Sequence, residues 1–229
     1  ELKMSQLGGT PVLILKEGTQ QSKGRDAREK NIMAIQAVAE TVKTTLGPRG
    51  LDKILVDGLG DLTVTNDGAT ILDNLDVEHP GAKMAVKISK SQDENVGDGT
   101  TSIVIVAGQL LSVASELMSQ GVHPSVVSRG FNIAGKEART ILANEITQKV
   151  DLDKDADLLR KVAITTMNSK GISGNKEFFA DLVVKAFAKV KQPKHHMSQV
   201  KNIVIVTKTG KSIKDSAPKK WYNCYKISY

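Results

Sequence analysis

The apolar run from Thr100 to Met118, entered through Asp93-Glu94-Asn95-Val96-Gly97-Asp98-Gly99, constrains this chain more than any other stretch. Its first part, Ile103 to Val106, is rich in β-branched residues and favours strand, whereas Leu110, Leu111, Ala114, Leu117 and Met118 recur at helical spacing. Strands seldom run beyond about eight residues, so length decides for one helix that begins at Thr100. The glycine-containing loop then stands at a helix N-terminus, where first-turn amides lack intrahelical partners and the dipole is positive.

Such a loop suits an anion. Gly97 and Gly99 permit positive φ and a close backbone approach, and Thr100 and Thr101 add hydroxyl donors. Asp98 is out of place beside a phosphate unless a hard cation lies between them. Mg²⁺ is commonly held by one or two carboxylates together with phosphate oxygens and waters. The residues therefore point to Mg-nucleotide binding with Asp98 on the metal. The competing reading is a solvated Gly-Asp-Gly turn, because neither the P-loop nor the dinucleotide glycine pattern is matched.

Charge weighs against nucleic acid as the partner. The net charge of +7 is unevenly spread: residues 1–143 carry 15 basic and 17 acidic side chains, and the rest carry 17 and 8. After Val184 there are 11 lysines opposed only by Asp215, which reads as a solvated face or tail rather than a groove. No uncharged apolar run reaches the length of a membrane span, and no secretory signal is expected at the N-terminus. A single cysteine, Cys224, fits a reducing compartment, with the cytoplasm as the expected location.

Along the chain, Pro11 to Leu15 reads as a strand lacking a sequence neighbour, and Gly24 to Leu46 as a long amphipathic helix stopped by Gly47-Pro48. Lys53 to Val56 and Leu62 to Thr65 predict a β-hairpin, and Asp67 falls on the turn into a short helix from Ala69 to Leu75. Helices are expected from Pro80 to about Gln92, from Pro124 to about Gln148, from Asp155 to Asn168 and from Lys176 to Lys191, then a strand over 202–207. The acidic stretch 151–157 marks a boundary. All the Trp and Tyr of the chain, with its one Cys, fall in 221–229, so 217–229 is set apart from the fold.

Three motifs occur together and in order: Thr45 to Lys53 (Thr-Leu-Gly-Pro-Arg-Gly-Leu-Asp-Lys), Val64 to Leu72 (Val-Thr-Asn-Asp-Gly-Ala-Thr-Ile-Leu) and Gly97 to Thr101 (Gly-Asp-Gly-Thr-Thr). With Gly8 to Gly18, Val77 to Met84 and Gln120 to Pro124, the set resembles a group II chaperonin subunit of the archaeal thermosome type, from about Gly8 to Ser216. Leu51 stands where the family pattern has Met, a volume-conserving difference.

The resemblance implies a mainly α fold with a small β component: the N-terminal half of an equatorial, nucleotide-binding domain over 1–148, an intermediate-domain segment over 149–216, and a divergent tail over 217–229. It implies an ATP-dependent chaperone with ATP and Mg²⁺ as cofactors. Leu46, Gly47 and Pro48 match the loop against the nucleotide, Gly97, Asp98, Gly99, Thr100, Thr101 and Ser102 the phosphate loop, and Asp98 the metal ligand. Asp67 matches a carboxylate that positions or activates the attacking water, and Lys170 a lysine that senses the γ-phosphate. It further implies other subunits in a double ring and unfolded clients held by an apical domain expected after Ser216, where this sequence passes instead to Ala217-Pro-Lys-Lys-Trp221. A truncated or frame-shifted reading frame would account for that change. It would also remove a second water-positioning aspartate, leaving hydrolysis impaired.

Without the resemblance, Asp67 reads as a helix cap, Lys170 as a solvated lysine and His195-His196 as a loop pair. A nucleotide-binding remnant that does not fold clients is the main alternative to the chaperone. A phosphotransferase follows at a distance, for want of an acceptor site.

Overall fold

The computed structural model describes residues 23–151, 154–168, 170, 173–190, 202–207, 209, 212–221 and 224–228. The expected strand from Pro11 to Leu15 lies outside them.

Helix α1 (Gly24–Lys43) buries Ile32, Val38, Ala39 and Val42 along one stripe. It ends one turn earlier than its apolar periodicity predicts. The Thr45 hydroxyl donates to the Val42 carbonyl at 2.7 Å, the Thr45 amide bonds the same oxygen at 3.1 Å, and Gly47 then takes φ 88°. A hydroxyl that engages a helical carbonyl locally competes with continued winding, a signal weaker in sequence than the following proline. Strands β1 (Lys53–Val56) and β2 (Leu62–Thr65) pair antiparallel, with Ile54 opposite Val64 and Val56 opposite Leu62. Their connection closes on Asp57, whose Oδ1 accepts the Leu59 and Asp61 amides at 2.9 and 2.8 Å.

Helices α2 (Gly68–Asp73), α3 (Pro80–Asn95) and α4 (Thr100–Ser119) pack with α1. Their shared core consists of Val38, Ala39, Val42, Ile71, Leu72, Ala82, Ala85 and Val104. Small residues set the spacing: a Cβ on Gly81 would meet the Asn31 carbonyl of α1 at 2.8 Å, and one on Gly108 the Ala39 Cβ at 2.6 Å. Helices α3 and α5 (Pro124–Ile141) both open with His-Pro, and there His79 and His123 act as N-caps, accepting the Gly81 and Ser125 amides at 3.1 and 3.3 Å. A single π turn, Leu142–Ile146, extends α5.

Helix α4 has a mean hydropathy of 1.6 over its most apolar window and is, by length and composition alone, apolar enough to cross a membrane. It does not read as an unbroken apolar run, because Ser102, Gln109, Ser112, Ser115 and Glu116 interrupt it. Val104, Gly108 and Ala114 face the neighbouring helices, while Val106, Leu110, Val113 and Leu117 form an outward stripe.

The second cluster joins α6 (Ala156–Met167) to α7 (Lys176–Val190) through Met167, Phe179, Ala180, Leu182 and Ala186. Arg160 secures the pair from the surface, donating to Asp181 at 2.6 Å. Strand β3 (Ile203–Val206) pairs in parallel with β5 (Cys224–Ser228), which also pairs antiparallel with β4 (Ala217–Trp221). Residues 217–221 and 224–228, set apart on composition, thus share a sheet with 203–206. The chain is mainly helical with a small β component, as expected.

Candidate functional site

The loop from Val96 to Gly99 joins two long helices whose ends differ. α3 finishes on the Val96 and Gly97 amides, which both bond the Gln92 carbonyl. α4 starts on Gly99 at φ 75°, and this N-cap offers no side-chain acceptor to the first-turn amides. Gly97 also has φ 75°, a region that costs an L-residue roughly 1–2 kcal/mol. The Gln92 side chain donates to the Asp98 carbonyl at 2.9 Å and pins the loop from beneath. The result is a helix N-terminus of 20 residues left open to an anion.

Asp98 is exposed at the loop tip. Its Oδ1 accepts the Gly99 amide at 2.8 Å, and its Oδ2 accepts the Thr166 hydroxyl of α6 at 3.2 Å. A carboxylate oxygen has two acceptor directions, so one remains on each oxygen. Among the described residues no cluster of three or more His, Cys, Asp or Glu is poised for a metal. A protein-only cation cage is therefore not formed by them. One exposed hard-oxygen ligand beside open amides does fit Mg²⁺ arriving with phosphate and water.

The threonines that follow are turned inward. Thr100 and Thr101 are buried, and the Thr100 carbonyl accepts the hydroxyl of fully buried Ser89 at 3.4 Å. The Thr101 backbone lies against Gly68, where a Cβ would stand 2.8 Å from the Thr101 nitrogen. Ser102 is exposed. The turn with Leu46, Gly47 and Pro48 is hydrogen-bonded within itself, Gly50 to Gly47 and Leu51 to Thr44 at 2.9 Å each, and its Leu46 side chain is exposed.

Gly68 brings Asp67 close to this helix start. Asp67 is the N-cap of α2: Oδ2 accepts the Thr70 amide and hydroxyl, each at 3.0 Å. Its Oδ1 accepts from Lys170 Nζ at 2.9 Å, across 103 residues of sequence. Burial pushes the carboxyl upward, but the Lys170 hydrogen bond and charge and the Thr70 donors outweigh it and hold Asp67 below the usual carboxylate range. Asp67 is ionised at neutral pH. It is both the cap that local sequence suggests and one half of a long-range pair.

A groove of about 370 Å³ is lined by Met84, Lys87, Ile88, Ser91, Gln92 and Asn95 of α3 and Ile103 of α4. It contains neither Asp67 nor Asp98 and is mostly apolar.

The sequence profile of the TCP-1/cpn60 chaperonin family matches residues 38–220. The chain belongs to that family. This chaperonin chain is 47% identical over 93% of its length to thermosome subunit beta of Thermococcus kodakarensis. It is 48% identical over 91% to thermosome subunit alpha of Thermoplasma acidophilum, and 52% identical over 80% to the thermosome subunit of Methanopyrus kandleri. It spans 39%, 38% and 33% of those relatives.

Within the chaperonin chain, the structure joins Lys170 to Asp67 and ties Asp98 to α6. Among the described residues, the hydrogen bonds of the Leu46 to Pro48 turn stay within its own neighbourhood. Sequence reasoning passed over Thr166, Thr70 and Gln92. Thr166 had no local signal, since its partner Asp98 lies 68 residues away in sequence.

Proposed function

We propose that this chain binds a Mg-nucleotide at Gly97 to Ser102, and that the longer protein of which its relatives are examples works as an ATP-driven chaperone subunit. One observation carries the reading. The two carboxylates singled out by sequence, Asp67 and Asp98, are both engaged by residues four apart in the chain, through Lys170 at 2.9 Å and Thr166 at 3.2 Å. A charged ligand at the loop would meet both contacts at once.

In this reading the amides of Gly99 to Ser102 receive phosphate oxygens, with Leu46, Gly47 and Pro48 against the rest of the nucleotide. Mg²⁺, when bound at Asp98, neutralises charge on the phosphates. Lys170 has one ammonium to give, to Asp67 or to an incoming γ-phosphate. Once Lys170 turns to the phosphate, Asp67 gains an acceptor site for a water. Its depressed basicity suits orienting that water better than taking a proton outright. Residues 1–148 are then the equatorial half, 149–216 the intermediate segment, and assembly in a double ring, client binding and a cytoplasmic setting belong to the longer protein.

The second reading is nucleotide binding without folding activity. Titration calorimetry with ADP, with and without a chelator, tests the shared part. Binding is expected only with Mg²⁺, and Asp98→Ala is expected to abolish the metal dependence along with most of the affinity. Equal binding in both conditions refutes the metal assignment.

A further inference from the structure

Two adjacent threonines near the end of α6 behave differently. The Thr165 hydroxyl donates to the Lys161 carbonyl of its own helix at 2.9 Å, the usual resting place for a helical threonine. The Thr166 hydroxyl does not turn back; it crosses to Asp98 Oδ2 at 3.2 Å, over 68 residues of sequence. A β-branched side chain has few rotamers in a helix, and threonine divides between two of them according to where its oxygen finds a partner. Here the partner lies in another element.

We infer that Thr166 is a positioning residue for Asp98, fixing the carboxylate so that its remaining lone pairs converge on the cation that accompanies the nucleotide. The inference rests on the Mg-nucleotide reading above. The Gly99 amide holds Oδ1 and Thr166 holds Oδ2, so rotation of the carboxylate is blocked from both sides. A loop-tip aspartate held only by its neighbour's amide would be free to swing into solvent. Partners that orient a metal ligand typically change metal affinity by about 10- to 100-fold when removed. Thr166 also makes the metal ligand part of the same segment that carries Lys170, three residues beyond the end of α6.

The test uses the whole 229-residue chain with ADP and Mn²⁺ as the probe, reading free Mn²⁺ by electron paramagnetic resonance. Thr166→Val keeps the shape and removes the donor; Thr166→Ser keeps the donor; Thr165→Val is the neighbouring control. The expected result is a roughly 10-fold or greater loss of Mn²⁺ affinity in Thr166→Val, rescue in Thr166→Ser and no change in Thr165→Val. Should Thr166→Val fail to fold, Thr166→Ala is measured in its place against the same rescue. Wild-type Mn²⁺ affinity in the donor-less variant overturns the role of Thr166 while leaving the nucleotide site standing. An equal loss in Thr165→Val overturns it as well, since the effect would then belong to the helix. Absence of any Mn-ADP binding by the parent chain overturns the nucleotide reading and this inference with it.

Discussion

Asp67 shows how one carboxylate serves two levels of structure. It caps α2 through Thr70 and pairs with Lys170, which lies just past the end of α6, and both contacts stabilise its charged form. Its folded pKa is depressed, so the stability it adds is fully present above the ordinary value of about 3.9 and is lost as pH falls through the lower folded value. Both side chains of the pair are about a third exposed, at 36% and 32%, so solvent screening keeps the ion pair to about 1 kcal/mol or less. Urea midpoints measured from pH 7 down to pH 2 should therefore fall more steeply below pH 4 in the parent than in Lys170→Met. Identical profiles would remove Lys170 from the account. Asp67 also illustrates what sequence conveys at this scale. A cap is local and legible three residues away, whereas the lysine that completes its environment lies 103 residues distant and was found only through the family resemblance.

Elements are assembled here by contacts that tolerate no added atom. Gly68 of α2 lies on the backbone of Thr101, so Gly68→Ala forces the two helix starts apart. Overpacking of this kind costs about 1–3 kcal/mol. Denaturant midpoints would report the loss, and an unchanged midpoint would mean that the two starts are not held together as described. Helices α1 to α7 were legible from apolar periodicity and from Pro, Gly and His-Pro boundaries, and the hairpin from its alternating pattern and glycine turn. Boundaries moved where a local hydrogen bond decided them, as with Thr45 at the end of α1. The pairing of β5 with β3 was not legible, because parallel pairing between distant segments leaves no short-range turn signal. Gly97 and Gly99 were legible because positive φ at the entry to a helix favours glycine. The inward turn of Thr100 and Thr101 was not, since a buried and an open hydroxyl have the same sequence.

At the scale of the whole molecule, much apolar surface stands open. Ile54, Val56, Leu62 and Val64 share one face of the hairpin, and Val106, Leu110, Val113 and Leu117 one face of α4, all of them exposed. Exposed apolar faces of this kind suit contact with further protein. For the 229-residue polypeptide taken by itself, light scattering should give monomers or irregular aggregates, and a uniform ring-sized particle would show that it closes these surfaces unaided. The central claim is narrower: the open start of α4 is where a nucleotide phosphate sits. Amide hydrogen exchange of the chain with and without Mg-ADP measures that residue by residue. The account predicts slowed exchange at Gly97 to Ser102, reinforced at Leu46 to Gly50, and abolished by chelator. Unaltered exchange across Gly97 to Ser102 at saturating Mg-ADP would contradict it.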